Sequence, residues 1–454
     1  MQSVKPLPAG ELCRHCDPEL FDFETTADLE ALTEPLGQER AVDAMQFGTE
    51  IQAEGYNLYV LGPQGSGRHT AIRRILAGKS AESRRADDWC YVNNFPDPGK
   101  PCALRLPPGE GIILRRDIGQ LIDECHTALT AAFESNEYHA RQHAIEEELQ
   151  EYQENTFERL QAYARERGIK VIQTSTGVVF APIRDDKTIS SDEFKKLPKD
   201  EQAHIDAMIR EVTAEFQHTM QSIPEEARKT RQKLRELDHE VSMLAVGNLI
   251  NQRVEKYLSL PRIVAYLRDM QADIVEHVDI FLKGSGGGSG GGNGGAMQAL
   301  LSGGRGSGLE HGESPAMRRY AVNVIVSNSG EEGAPVVFED HPTFPNLVGK
   351  IEHQSEMGTL VTNFTLIRAG ALHRANGGYL IIDAARLLVQ PIAWEGLKRA
   401  LKSREIRTRS LGEALSLIST VSLEPEPIPL GTKVFLVGDR LLYYLLQVYD
   451  PEFP

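Results

Sequence analysis

The stretch Tyr56-Asn-Leu-Tyr-Val-Leu-Gly-Pro-Gln-Gly-Ser-Gly-Arg-His-Thr70 constrains this chain more than any other. Leu58 to Leu61 is a short apolar run with an aromatic and a β-branched residue, and glycine and proline follow it. Such a run reads as a buried strand. Ala71-Ile-Arg-Arg-Ile-Leu76, past the glycines, has helical spacing. Strand, glycine loop and helix form the setting in which a G-x-x-x-x-G-K-[ST] loop cradles phosphates. Backbone N–H groups converge there, and the helix N-terminus adds partial positive charge.

The glycines Gly62, Gly65 and Gly67 fit that loop, but the two positions that carry chemistry do not. Arg68 stands where the lysine belongs, and His69 where the magnesium-binding hydroxyl belongs, with Thr70 one place late. Arginine pairs with phosphate as a planar fork rather than a point charge. Imidazole is a poor ligand for magnesium, which takes oxygen. ATP or ADP with magnesium are the ligands of such a loop, and both substitutions weaken that expectation.

A second candidate is Tyr379-Leu-Ile-Ile-Asp383, a buried strand ending in a carboxylate. An acidic residue there holds magnesium near the phosphates, so Asp383 is a candidate metal ligand. A helix N-cap is the competing role for a lone aspartate. Hydrolysis also needs a carboxylate at the next position to orient water, and that position is Ala384.

Composition narrows the partners. The formal net charge of -16 argues against a general nucleic-acid or anionic-membrane binder. With 454 residues, 41% of them hydrophobic, two or three domains with real cores are expected. The five cysteines are odd in number and scattered, which fits a reducing cytoplasm better than a disulfide framework. Cys13-x-x-Cys16 lacks a second pair of ligands nearby and reads as incidental thiols. No basic-then-apolar leader and no membrane-length apolar run are present in the sequence.

Between Leu114 and Arg167 glycine and proline are almost absent, and apolar residues recur at three- and four-residue steps. This predicts one long amphipathic helix ended by Gly168. Val171 to Ile183 reads as a β-hairpin at its tip, and Ser190-x-x-Glu193 as a capping box. A returning helix carries Ile205, Ile209, Val212, Phe216, Leu234, Leu237 and Val241, with Pro224 expected to kink or break it. Ile263 to Leu282 is a shorter helical segment after Pro261. Two long antiparallel helices with a small tip predict a coiled-coil arm. Gly284 to Gly308 is glycine- and serine-rich and reads as a flexible surface loop. Beyond it, Tyr320 to Val326 and Lys433 to Asp439, the latter with a polar end, read as further strands.

These residues resemble the bacterial Lon-related protease family with a divergent ATPase module, close to its LonB and LonC types. The carriers are Gly37-Gln-Glu-Arg-Ala41, Gly62 to Thr70, Asp88-Trp-Cys-Tyr-Val-Asn-Asn-Phe95, and His373-Arg-Ala-Asn-Gly-Gly-Tyr-Leu-Ile-Ile-Asp383 running on through Pro391, Trp394 and Leu397-Lys-Arg399. The resemblance implies an α/β fold: an AAA+ P-loop-type large subdomain interrupted by a long helical coiled-coil insertion. Residues 1–113 and 319–454 would be its two halves, 114–283 the insertion and 284–318 the glycine-rich loop. Asp439, after Gly438, takes the first-sensor position, where an asparagine is typical.

The resemblance further implies a cytoplasmic homo-oligomer, a hexamer in the full-length protein, acting on unfolded protein. A relative of the LonC type would degrade it without using ATP. A Ser–Lys peptidase domain, a helical lid and a second sensor are expected to lie outside these residues. No Pro-x-x-Gly-Pro-Ser-Ala-Gly-like turn occurs, so no catalytic dyad is assigned in this chain, which is expected to be a portion of a longer protein. A working ATP-dependent unfoldase, in which Arg68, Thr70 and Asp383 suffice, and a non-enzymatic coiled-coil scaffold are the alternatives. The abundance of glutamate between Glu146 and Glu166 speaks against a basic, DNA-binding face.

Overall fold

The computed structural model describes residues 8, 10, 16–29, 38–51, 53, 55–174, 177–184, 187–188, 198–282, 316–356, 359–408 and 423–453. Gly37, Cys13, the Ser190–Glu193 box and the Gly284–Gly308 stretch lie outside them.

In chain order, α1 (Glu39–Glu50) leads to β1 (Leu58–Leu61), the glycine loop and α2 (Arg68–Glu82). β2 (Asp88–Val92) and β3 (Cys102–Leu106) precede α3 (Glu110–Phe133) and α4 (Asn136–Glu166). The hairpin β4 (Ile169–Thr174) and β5 (Gly177–Arg184) turns the chain into α5 (Lys199–Lys256) and α6 (Pro261–Glu276). Then follow β6 (Asn323–Val326), β7 (Val336–Glu339), β8 (Tyr379–Asp383), α7 (Ala384–Leu388), α8 (Pro391–Ser403), β9 (Lys433–Gly438) and α9 (Arg440–Tyr449).

β1, β9, β8 and β7 form one parallel sheet in that order. Its central strands are continuous apolar runs because helices cover both faces. On one face Ile381, Phe435 and Val437 pack against Ile72 and Leu76 of α2 and Met45 of α1. On the other, Leu380, Ile382, Val434 and Leu436 pack with Ala393 and Leu397 of α8. A smaller antiparallel sheet, β3-β2-β6, joins this body to the helices. Every residue of β2 is buried, and its period of two divides the burial. Trp89 and Tyr91 enter the core of the parallel sheet, while Cys90 and Val92 enter the core built by α3, the end of α5 and α6.

The long helix expected from Leu114 to Arg167 is two helices. It starts earlier, at Glu110, and breaks at Glu134–Ser135, where the Ser135 hydroxyl caps α4 by accepting from the Tyr138 N–H at 3.2 Å. Gly168, with φ of 69°, ends α4 as expected. α5 runs through Pro224 as one helix of 58 residues, so of the kink or break expected there the break does not occur. A proline deletes one ladder hydrogen bond. Here the helix is held on both sides of it by α4, through Glu148 with Lys233 and Tyr163 with Glu211. The Ile263–Leu282 segment also divides, at His277, into α6 and a short helix Val278–Leu282. The pairs Tyr138–Asp238, Arg141–Glu240 and Tyr163–Glu211 show α4 and α5 to be antiparallel. The expected hairpin forms at their tip, with Phe180 of β5 against Phe216 of α5, ring centroids 5.5 Å apart.

Candidate nucleotide site

The order of the parallel sheet gathers the sequence-selected residues. Leu61 is level with Gly438, and Val437 with Asp383, so three adjacent strands end together. The glycine loop, Asp439 and Asp383 with Ala384 leave those ends. This carboxyl edge of an open parallel sheet is where such folds bind ligands.

The loop keeps the backbone of a phosphate cradle. Gly65 and Gly67 have φ of 81° and 77°, the left-handed region that a side chain disfavours. No side chain caps α2, and its first helical bond is from the Ala71 N–H to the Gly67 carbonyl. The N–H groups of Arg68, His69 and Thr70 therefore have no partner within the helix. Successive N–H groups in such a turn make an anion nest.

The side chains do something else. Arg68 Nη1 donates to the Gly438 carbonyl at 2.6 Å and lies 3.8 Å from the Asp439 carboxylate. Its side chain is only 12% exposed. The guanidinium thus ties the loop to the end of β9 instead of projecting over the nest. The Ser66 hydroxyl donates to the Pro63 carbonyl at 2.8 Å, closing the turn on itself. A Cβ placed on Gly62 would meet Ser66 Oγ at 2.9 Å and Arg68 Cδ at 3.1 Å. His69 and Thr70 are exposed. Asp439 heads α9 with its carboxylate 60% exposed and without capping that helix.

Asp383 takes the N-cap role. Its Oδ1 accepts from the Arg386 N–H at 3.0 Å and starts α7. Ala384 is buried. Among the described residues no group of three or more histidines, cysteines or carboxylates comes together as a metal cluster.

The residue that sequence reasoning missed is Tyr59. Its ring projects from β1 toward α7 and α9 and meets Tyr443 and Phe453 at 5.2 and 6.0 Å. A Cβ on Gly438 would overlap the Tyr59 hydroxyl, come within 2.7 Å of its Cζ, and stand 3.2 Å from the Ala384 Cβ. Tyr59 therefore fills a wedge that two small residues leave open. Burial, then the charge of Asp439, pushes its hydroxyl up to about 12, with Arg68 opposing, so it stays protonated. Its sequence signal was faint: a tyrosine in a strand is ordinary, and Gly438 and Ala384 meet it only in space. Lys433 was also missed. Its ammonium donates to the carbonyls of Gly48 at 2.6 Å and Thr49 at 3.1 Å, and to that of Ile51, closing the C-terminal end of α1.

The His373–Gly378 motif does not line this site. It lies before the other end of β8, as a joint. His373 is buried, and its Nδ1 accepts from the Gly370 N–H at 3.2 Å. Asn376 accepts from the Gly431 N–H and donates to the Pro429 carbonyl, both at 2.8 Å. Arg374 pairs with Glu339 at 3.0 Å.

Residues 332–454 match the family model "LonB-like, AAA domain", and residues 88–121 match "Lon-like LonC helical domain". Residues 182–280, mostly α5 and α6, also match the E2 domain of amyloid precursor protein. A putative Lon protease homolog of Escherichia coli (strain K12) is 35% identical over 86 residues, 19% of this chain and 14% of that relative. The chain is Lon-related. In this Lon-related chain the AAA match contains Asp383, Ala384, Asp439 and the His373 joint, and the helical match contains β2, β3 and the start of α3. The glycine loop lies in neither match. The fold is α/β, a parallel sheet with long helices, and no described helix is long and apolar enough to cross a membrane.

Proposed function

We propose that this chain is the AAA+-like module of a Lon-type serine protease, assembling as a cytoplasmic homo-oligomeric ring, a hexamer in the full-length protein. The ring passes unfolded polypeptide to a Ser–Lys peptidase, and its nucleotide site has lost turnover. Residues 1–113 and 319–454 are the module, 114–283 a coiled-coil arm that contacts substrate, and 284–318 a tolerated surface loop. The carrying observation is Arg68, whose guanidinium is engaged by Gly438 and Asp439 rather than facing the nest. Phosphoryl transfer depends on placed charges, and each such group is worth about 10²-fold or more in rate. Here the lysine, the magnesium hydroxyl and the water-orienting carboxylate are all replaced. Free, buried thiols at Cys90 and Cys125 fit a reducing compartment.

Calorimetric titration with ATP and magnesium, paired with phosphate-release assays, tests this reading. Release is expected at the buffer blank whether or not binding is seen. Steady release abolished by Asp383→Asn would establish the working unfoldase instead. That second reading draws on the left-handed Gly65 and Gly67 and the uncapped start of α2, which preserve a place for phosphate. Casein cleavage by this chain alone would contradict the placement of the peptidase nucleophile outside it.

A further inference from the structure

The helical arm carries two outward faces of like charge. On α4, Glu147, Glu151, Glu154 and Glu158 recur at steps of four, three and four, and all are exposed. At about 100° per residue they form one stripe. Leu160 and Ala164, on the opposite side of the helix, are buried. On α5, Arg228, Arg231 and Arg235 recur at steps of three and four, also exposed, with Thr230 and Leu237 buried on the opposite side.

The arm's own helices do not neutralise these stripes. Across the α4–α5 seam the charges that meet among the described residues are Glu148 with Lys233, Arg141 with Glu240 and, at the end of α4, Arg167 with Glu211. The three arginines have no carboxylate partner among the described residues. Among the described residues Glu147 faces His143, at 3.7 Å, and Glu154 the Gln150 amide, at 3.0 Å. Like charges at such spacing cost a few tenths of a kcal/mol per pair. Free arginines in a row are unexpected in a chain of net charge -16.

The two stripes also overlap in height. Lys233 pairs with Glu148 in an antiparallel seam. Counting from that pair, 228 and 235 are level with 153 and 146, a span that holds Glu147 and Glu151, while Glu154 and Glu158 continue beyond it. One back of the arm is therefore acidic where the other is basic.

We propose that neighbouring copies of this chain lay their arms side by side, the arginine face of one arm on the glutamate face of the next. Such a contact is heterologous: each copy offers two different faces, so it closes into a ring or runs on as a filament. Closure into a ring rests on the functional reading above; the contact itself does not. Nucleic acid is the competing occupant of the arginines. It would engage a stripe only about 10 Å long and leave the level glutamates on the other back without a role. Charge complementarity of this kind sets register and orientation more than affinity.

The test is charge reversal in the full 454-residue chain, followed by sedimentation velocity at low salt and in 1 M salt. Exposed charges are screened beyond about 3 Å in 1 M salt. Arg228→Glu/Arg231→Glu/Arg235→Glu, and separately Glu147→Lys/Glu151→Lys/Glu154→Lys/Glu158→Lys, are each expected to abolish low-salt association while keeping helical circular dichroism. An equimolar mixture of the two variants is expected to recover mixed complexes, because one intact face remains on each. Association that survives both reversals overturns the arm contact and leaves the ring standing. Salt-sensitive association that grows without limit, and is lost on reversal, keeps the arm contact and removes the ring. A monomer under every condition overturns both. Binding of a single-stranded oligonucleotide that is lost with the arginines and indifferent to the glutamates gives the face to nucleic acid and overturns the proposal.

Discussion

The two ends of β8 are built on different principles. The end at Tyr379 is a joint in which the motif's His373, Asn376 and Arg374 each have a fixed partner: His373 on Gly370, Asn376 on Pro429 and Gly431, Arg374 on Glu339. The end at Asp383 opens on the glycine loop, where His69, Thr70 and most of the Asp439 carboxylate face solvent. The joint tolerates little because backbone meets backbone there. The open end combines left-handed glycines and an uncapped helix start with Arg68, Ser66 and Asp383 bonded to nearby backbone. Architecture and chemistry have separated along one five-residue strand.

The largest contrast is expected between two glycines, one at each end. A Cβ on Gly378 would collide with the Pro335 carbonyl and lie 2.8 Å from the proline's own nitrogen and Cδ, with no side chain free to move aside. Gly378→Ala should cost more than about 4 kcal/mol, the range reserved for a broken core. Loss of soluble protein, or a collapsed urea midpoint, would show it. Gly438→Ala meets instead the tip of the Tyr59 ring, which can turn away. Overpacking of that kind costs about 1–3 kcal/mol. It should cost almost nothing in a Tyr59→Leu background, whereas no partner substitution should rescue Gly378→Ala. Equal and unrescued losses at both glycines would erase the contrast.

The joint and the open end also differed in how much the sequence disclosed. Apolar runs such as Leu380–Ile382 and Val434–Val437 fixed strands because burial on both faces leaves no polar position. The three site strands were therefore legible, as were Arg68, Asp383 and Ala384 as substituted or ambiguous positions. Whether Asp383 was a ligand or a cap was not, because both roles ask for the same residue in the same place. Where Arg68 points was hidden too: its partner is a carbonyl 370 residues away, and a carbonyl carries no sequence signature. The break at Glu134–Ser135 was masked by helix-favouring residues on both sides, and Pro224 misled because packing against α4 outweighed one missing hydrogen bond.

A pH scan separates the two ends by a smaller margin. Burial, with some help from Arg374, holds the His373 imidazole down at about 3, against about 6.5 when unfolded. Between those values the unfolded chain binds the extra proton. Stability is therefore full above about pH 6.5 and falls by about 1.4 kcal/mol for each pH unit below it. Urea midpoints from pH 7 to 5 should drop accordingly, and His373→Asn should flatten the drop while lowering stability at pH 7. An unchanged slope in that variant would mean that His373 is not the proton acceptor.

The smallest expected effect decides what Asp383 does. Its Oδ1 bond to the Arg386 N–H is an N-cap, and losing such a cap costs about 1 kcal/mol. Serine caps nearly as well as aspartate but lacks the negative charge with which a carboxylate at this position holds magnesium. Asp383→Ala should therefore lower stability by about that amount, and Asp383→Ser by only a few tenths. If capping is the whole role, neither variant changes the affinity for ATP in magnesium measured against ATP in EDTA. If Asp383 still holds a metal, the two variants behave alike in that comparison and unlike in stability: both lose the magnesium-dependent part of binding, and only the alanine loses the cap. The pair of substitutions thus divides a structural carboxylate from a metal-binding one without requiring any turnover.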